Sequence, residues 1–261
     1  MTGSLVRAGL VGLFIGALSG ALSIETRSWA GEEKCLERFA ELIADPMELA
    51  VDRSRGVDFF SIREKMLSKK RAQHHAEKWN HQLIEALQMP LAPSGTRKSG
   101  ITRQEADDLY RYVNCHPVAG MSQVKRYDPA GNFGFCFGRA TAVHIEALRR
   151  GLARSKVLKI WGVGPMKGGW GHHVATLVAG KEGGWWAIDP EVGTVVSATE
   201  WIKWLKAEQE NLEEPLVFFV SEAERFGPAA SSKYNQIDLY GTETSDIYNG
   251  YFRELLRGKA R

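Results

Sequence analysis

Cysteine is scarce in this 261-residue chain: three are present, too few for the disulfide-dense scaffolds that staple small secreted domains. An excess of one charge is missing as well. The 34 basic and 31 acidic residues leave a formal charge of +3, which argues against a nucleic-acid partner bound by bulk electrostatics. The densest basic stretch, Lys65 to Lys78, is accompanied by Glu64 and Glu77 and reads as a solvated helix face. Internal repeats and low-complexity tracts are lacking, so solenoids and disordered arrays drop out. His74, His75, His81 and the tandem pair His172-His173 supply imidazoles, but none falls in a zinc spacing, so no metal site is expected.

Long hydrophobic runs are also absent, except at the start. Arg7 precedes an uncharged stretch from Ala8 to Ile24, and Ser28-Trp29-Ala30 offers small residues at the positions a signal peptidase reads. This is the layout of an export signal over residues 1–30, cleaved after Ala30, which implies a periplasmic or secreted protein. The run sits at the short edge of the ~20 residues needed to cross a bilayer, so a retained membrane anchor is the competing reading. Glycine at 9, 12, 16 and 20 argues against a buried core helix. After export, Cys35 and Cys115 either pair as a disulfide or remain two buried thiols.

What is present divides the chain. Residues 31–120 read as helical. Leu36, Phe39, Ala40 and Ile43 form one apolar stripe, and Asp45-Pro46 starts a second helix. Ser61 and Glu64 suggest a capping box for a long helix running to Gln88, with Trp79, Leu83, Ile84 and Leu87 as its core stripe. After a Pro/Gly/Ser-bearing linker from Pro90 to Gly100, Thr102 and Glu105 repeat that signature for a helix ending near Asn114. Residues 121–225 change character. A helix from Cys136 to Arg150, stopped by Gly151, is followed by β-like runs at Val157–Trp161, His173–Val178, Trp185–Ile188 and Leu216–Val220, with a helix over Thr199–Gln209 between the last two. That order predicts an α+β fold with an antiparallel sheet. Residues 226–261 read as a loop and a last helix near Tyr251 to Leu256.

Three residues carry chemistry. Cys136 opens its helix after the turn Gly131-Asn132-Phe133-Gly134, where unpaired backbone N–H groups favour a thiolate and can stabilise an oxyanion. His172 and His173 begin a strand and must point to opposite faces, so only one can meet a given cleft; His173 is the candidate, with its neighbour turned outward. Asp189 ends a strand before Pro190, where a carboxylate can fix the tautomer of an imidazole. Nucleophile, base and orienter make a thiol-dependent acyl-transfer set.

At these residues the chain resembles the protein glutaminase (protein-glutamine deamidase) family, with its papain- and transglutaminase-like fold. The likeness lies in Cys136-Phe137-Gly138-Arg139-Ala140, in Trp170-Gly171-His172-His173-Val174-Ala175, in Ile188-Asp189-Pro190, and in Gly193-Thr194-Val195 leading to Trp201. The resemblance implies catalytic roles for Cys136, His173 and Asp189, no cofactor, and hydrolysis of glutamine side chains in a protein or peptide substrate. Arg139 fits a structural ion pair. The segment before Tyr127 has no counterpart and could be a pro-segment, an accessory domain or a partner-binding module.

Two other readings fit the same residues. One is a cysteine peptidase or amidase acting on cell-wall peptides. The other is a catalytically inactive binding module, with Trp185, Trp186, Trp201 and Trp204 forming a recognition surface rather than core.

Overall fold

The computed structural model describes residues 58–89, 99–130, 135–211, 213–225, 227–229, 250–252 and 254–255. The leader-like segment, Cys35 and hence its pairing with Cys115, the two helices expected before residue 58, most of the 90–100 linker and the turn at 131–134 lie outside the described residues.

The chain is α+β. Its sheet has five strands: β1 (Val157–Met166), β2 (Trp170–Ala179), β3 (Trp185–Ile188), β4 (Val196–Ser197) and β5 (Val217–Glu222). They lie in the order β4-β3-β2-β1-β5, every pair antiparallel. The described helices are α1 (Phe59–Leu67), α2 (Ala72–Gln88), α3 (Arg103–Asn114), the short α4 (Val124–Tyr127), α5 (Cys136–Arg149) and α6 (Ala198–Ala207), with further helical residues at 250–252 and 254–255.

The alternation of the strands sorts their side chains into two layers. Val157, Trp161 and Val163 of β1 and Val174 and Val178 of β2 join α3 and α5 in one core. Ile160, Ala175, Leu177 and Ala179 face the other way, onto Trp201, Ile202 and Leu205 of α6 and Leu87 of α2. Each fully buried large apolar side chain contributes roughly 1.5–3 kcal/mol, so both layers are needed to hold the sheet. Gly162 shows how closely α6 approaches: a Cβ there would collide with a methyl of Leu205.

Local signals decide most helix ends. Thr102 accepts from the Glu105 N–H while Glu105 reaches back to the Thr102 N–H, the reciprocal box expected for α3. Ser197 and Glu200 do the same for α6. The expected box at Ser61 is not the cap. Asp58 caps α1 instead, its carboxylate accepting from the N–H groups of Phe60 and Ser61, because a residue just before the helix reaches the first orphan donors. The long helix expected to run to Gln88 is also two helices. The break falls at residues 68–71, where Arg71 takes a left-handed conformation with φ of 63°.

The described helices of the 31–120 region pack directly on the sheet: α1 against β1, α2 against β5, and α3 against α5 and β3. Asn80 of α2 covers the β5 edge. Its amide donates to the Leu216 carbonyl at 2.8 Å and accepts from the Phe218 N–H at 2.9 Å, which satisfies backbone groups an edge strand would leave open.

Candidate active site

The site forms at an edge created by unequal strand lengths. β2 pairs with β3 only from Thr176↔Ile188 to Ala179↔Trp185, so its first half has β1 alone as a neighbour. His173 lies in that first half, and Asp189 follows directly where β3 ends. Thr176 fastens α5 beside this gap by donating its hydroxyl to the Ala140 carbonyl at 2.7 Å.

Cys136 opens α5 after Phe135, which adopts a left-handed conformation at φ 53°. A bulky residue is strained there. Packing holds it: the buried Phe135 ring lies 4.9 Å from Tyr251, 5.3 Å from Phe137 and 6.1 Å from Tyr127. Tyr127 also donates its hydroxyl to Glu254, so the C-terminal segment clasps the start of α5. Gly138 permits this, because a Cβ at that position would lie 2.5 Å from the Tyr251 ring.

Asp189 uses both oxygens. Oδ1 accepts from the Glu191 N–H at 3.1 Å, which caps the short 3₁₀ turn Pro190–Val192, and proline suits the first position of such a turn. Oδ2 accepts from Nε2 of His173 at 2.7 Å and from the indole N–H of Trp201 at 2.8 Å. The Trp201 ring stacks on the His173 imidazole at 5.9 Å with an 18° tilt. With Nε2 committed to Asp189, Nδ1 is the nitrogen left to face Cys136, which lines the same pocket as His173 and helps to raise its pKa.

The electrostatics follow. Burial alone would lower the His173 pKa, but the Asp189 charge and hydrogen bond, with Cys136 adding, hold it well above the ordinary value. Burial alone would raise Asp189; the His173 charge, hydrogen bonds from His173 and Trp201, and nearby Arg139 hold it below instead. His172 behaves oppositely. It points to the other sheet face, half-buried near Phe60 at 6.0 Å and Trp161 at 6.2 Å, rather than outward as expected. Burial, then the His173 charge, push it down to about 4.

Cys136 and His173 open onto a pocket of about 160 Å³. Met166, Trp170, Trp204 and Leu205 give it apolar walls, and Lys167, Glu191 and Glu208 add charge. The rim is strapped: the Lys167 N–H donates to the Glu208 carbonyl at 2.8 Å, joining the β1–β2 turn to the end of α6. Arg139, only 2% exposed, pairs with Glu191.

The structure therefore brings Cys136, His173 and Asp189 together, with Arg139 one residue further out. Glu191 was not singled out by sequence reasoning, although it directly follows the Ile188-Asp189-Pro190 motif; Trp170 and Trp201 stand in the quoted motifs, but their places in the pocket wall and on Asp189 were not foreseen. Of the four tryptophans considered as a recognition surface, Trp185 and Trp201 are buried and Trp204 lines the pocket. Among the described residues no cluster of His, Cys, Asp and Glu has the grouping to hold a metal ion.

No protein-family model and no curated protein sequence matches the chain. Among solved structures it is similar to protein-glutaminase from Chryseobacterium proteolyticum, solved by NMR, at 14% identity and a TM-score of 0.38, covering 57% of this chain and 94% of that one. It is also similar to a crystal structure of a mutant pro-protein-glutaminase at 14% identity and a TM-score of 0.41, covering 64% of this chain and 62% of that one.

Proposed function

We propose that the chain is a thiol-dependent amidohydrolase that converts glutamine side chains of proteins or peptides to glutamate. The observation that supports this reading is the His173–Asp189 hydrogen bond at a pocket that Cys136 and His173 line together. Cys136 gives its proton to Nδ1 of His173 and attacks the side-chain carbonyl carbon. The oxyanion is met by N–H groups of the first turn of α5, which have no intrahelical acceptor. The C–N bond then breaks, His173 returns the proton to the departing nitrogen, and ammonia leaves. Water, deprotonated by His173, hydrolyses the thioester to glutamate and restores the thiol. Asp189 keeps the imidazole in the tautomer and orientation both steps require. No cofactor takes part. Such chemistry asks the site to remove at least ~8 kcal/mol from the barrier.

The motif likeness to protein glutaminases supports the substrate class, and the leader-like segment 1–30 supports action after export. The test is ammonia release from intact glutamine-bearing proteins, with mass spectrometry to locate each glutamine converted to glutamate, and loss of both signals in Cys136→Ala. Cleavage of cell-wall peptides without ammonia release would replace this reading with the peptidase one.

A further inference from the structure

Glu191 is the unexplained group in the pocket. It lies two residues after Asp189, yet its carboxylate makes no hydrogen bond to the His173–Asp189 pair and reaches His173 only at ion-pair distance. One oxygen, Oε1, is held by Arg139. The other, Oε2, stands 3.9 Å from Nε2 of His173, beyond hydrogen-bond range, and receives no hydrogen bond from any described residue. The side chain is 33% exposed and lines the same pocket as Cys136 and His173. A buried guanidinium thus fixes a carboxylate on the pocket wall and leaves it one acceptor oxygen to offer.

We propose that Glu191 is the specificity-determining residue that recognises the N–H₂ of a primary carboxamide, an inference that rests on the deamidase reading above. A side-chain amide brings two N–H donors on the nitrogen that departs. With its carbonyl oxygen at the start of α5, one of those donors is available to Oε2. An ester offers no donor. The product carboxylate offers none either, and it places a negative charge beside Glu191 and Asp189, so the pocket favours substrate over product. A main-chain peptide nitrogen has a single N–H and carries a bulky substituent that a pocket of about 160 Å³ walled by Trp170 and Trp204 would have to hold. The same wall therefore selects ammonia release over peptide-bond cleavage. Arg139 acts here as a positioning residue for the Glu191 carboxylate.

The experiment compares one peptide sequence bearing either glutamine or the γ-methyl ester of glutamate, with wild-type protein and Glu191→Gln. The expected result is that Glu191→Gln lowers the amide-to-ester ratio of kcat/KM by about tenfold or more. A ratio within about twofold of wild type overturns the inference. An equal loss on both substrates also overturns it, because the ester uses Cys136, His173 and Asp189 without presenting an N–H; that outcome assigns Glu191 to orienting His173. Should Glu191→Gln fail to fold, with the Arg139 charge no longer balanced by Glu191, Cys136→Ala protein with Glu191 intact is titrated with both peptides by calorimetry. The glutamine peptide then binds about tenfold more tightly than the ester, and equal binding overturns the inference. A wild-type chain that hydrolyses neither substrate removes the deamidase reading and this inference together, whereas an active wild type with an unchanged ratio removes only the inference.

Discussion

Trp201 donates its indole N–H to the same oxygen of Asp189 that receives His173, at 2.8 Å, while its ring lies stacked on the imidazole. One buried side chain therefore restrains both members of the pair. It orients the carboxylate through a hydrogen bond and the imidazole through its face.

Trp201→Phe keeps a ring and removes the donor. A hydrogen bond to a charged group contributes about 1.5–3 kcal/mol, so kcat/KM should fall by roughly tenfold or more while the fold survives. The Asp189 carboxyl, no longer stabilised by the indole, becomes less acidic. The acid limb of the pH–rate profile should therefore move to higher pH. Steady-state ammonia release across pH, with a thermal melt as the folding control, checks both.

The tandem histidines should separate cleanly. Cys136→Ala and His173→Ala are each expected to cost on the order of 10⁶-fold in kcat. His172→Ala removes a half-buried ring from between Phe60 and Trp161 and should cost about 1 kcal/mol of stability with kcat largely retained. Side-by-side kinetics and urea unfolding measure the contrast; reversed activities would assign the base to His172.

Stability should depend on pH through the same pair. The His173 pKa is raised, so its contribution is complete below the ordinary value of 6.5 and is lost as pH rises through the folded value. The Asp189 pKa is lowered, so its contribution is complete above 3.8 and is lost as pH falls through the folded value. Both are fully present between those two ordinary values. Urea unfolding at stepped pH should show the pair's share greatest there, and Asp189→Asn should flatten that part of the profile.

Gly138→Ala should act through the C-terminal segment. Its new methyl would collide with the Tyr251 ring and cost about 1–3 kcal/mol. In a Tyr251→Ala background the same substitution should cost much less, since the colliding ring is gone. A double-mutant cycle by chemical denaturation measures that coupling.

Legibility in the sequence tracked how local each determinant was. The Thr102–Glu105 box, the stop at Gly151 and the Trp185–Ile188 strand depend on neighbours within a few residues, and each appears where residue chemistry puts it. The Ser61 box failed to Asp58, because two candidate caps three residues apart differ only in which one stands outside the first turn. Strand limits ran short, since β2 begins at Trp170 through pairing with β1 rather than through its own pattern. Glu191 was not legible as a pocket residue: its place depends on Arg139, far away along the chain, and on Asp189 turning the backbone. The clasp of Glu254 on Tyr127 spans a still longer separation and leaves no local trace.

His173 sits opposite Gly162 and His172 opposite Val163 in the β1–β2 ladder. Sliding β2 by a single position would present the wrong ring to Asp189 and turn the right one toward Phe60 and Trp161. The hairpin's alignment is therefore a chemical choice as well as a mechanical one, and a mispaired conformer could keep its secondary structure while losing its reactive partnership.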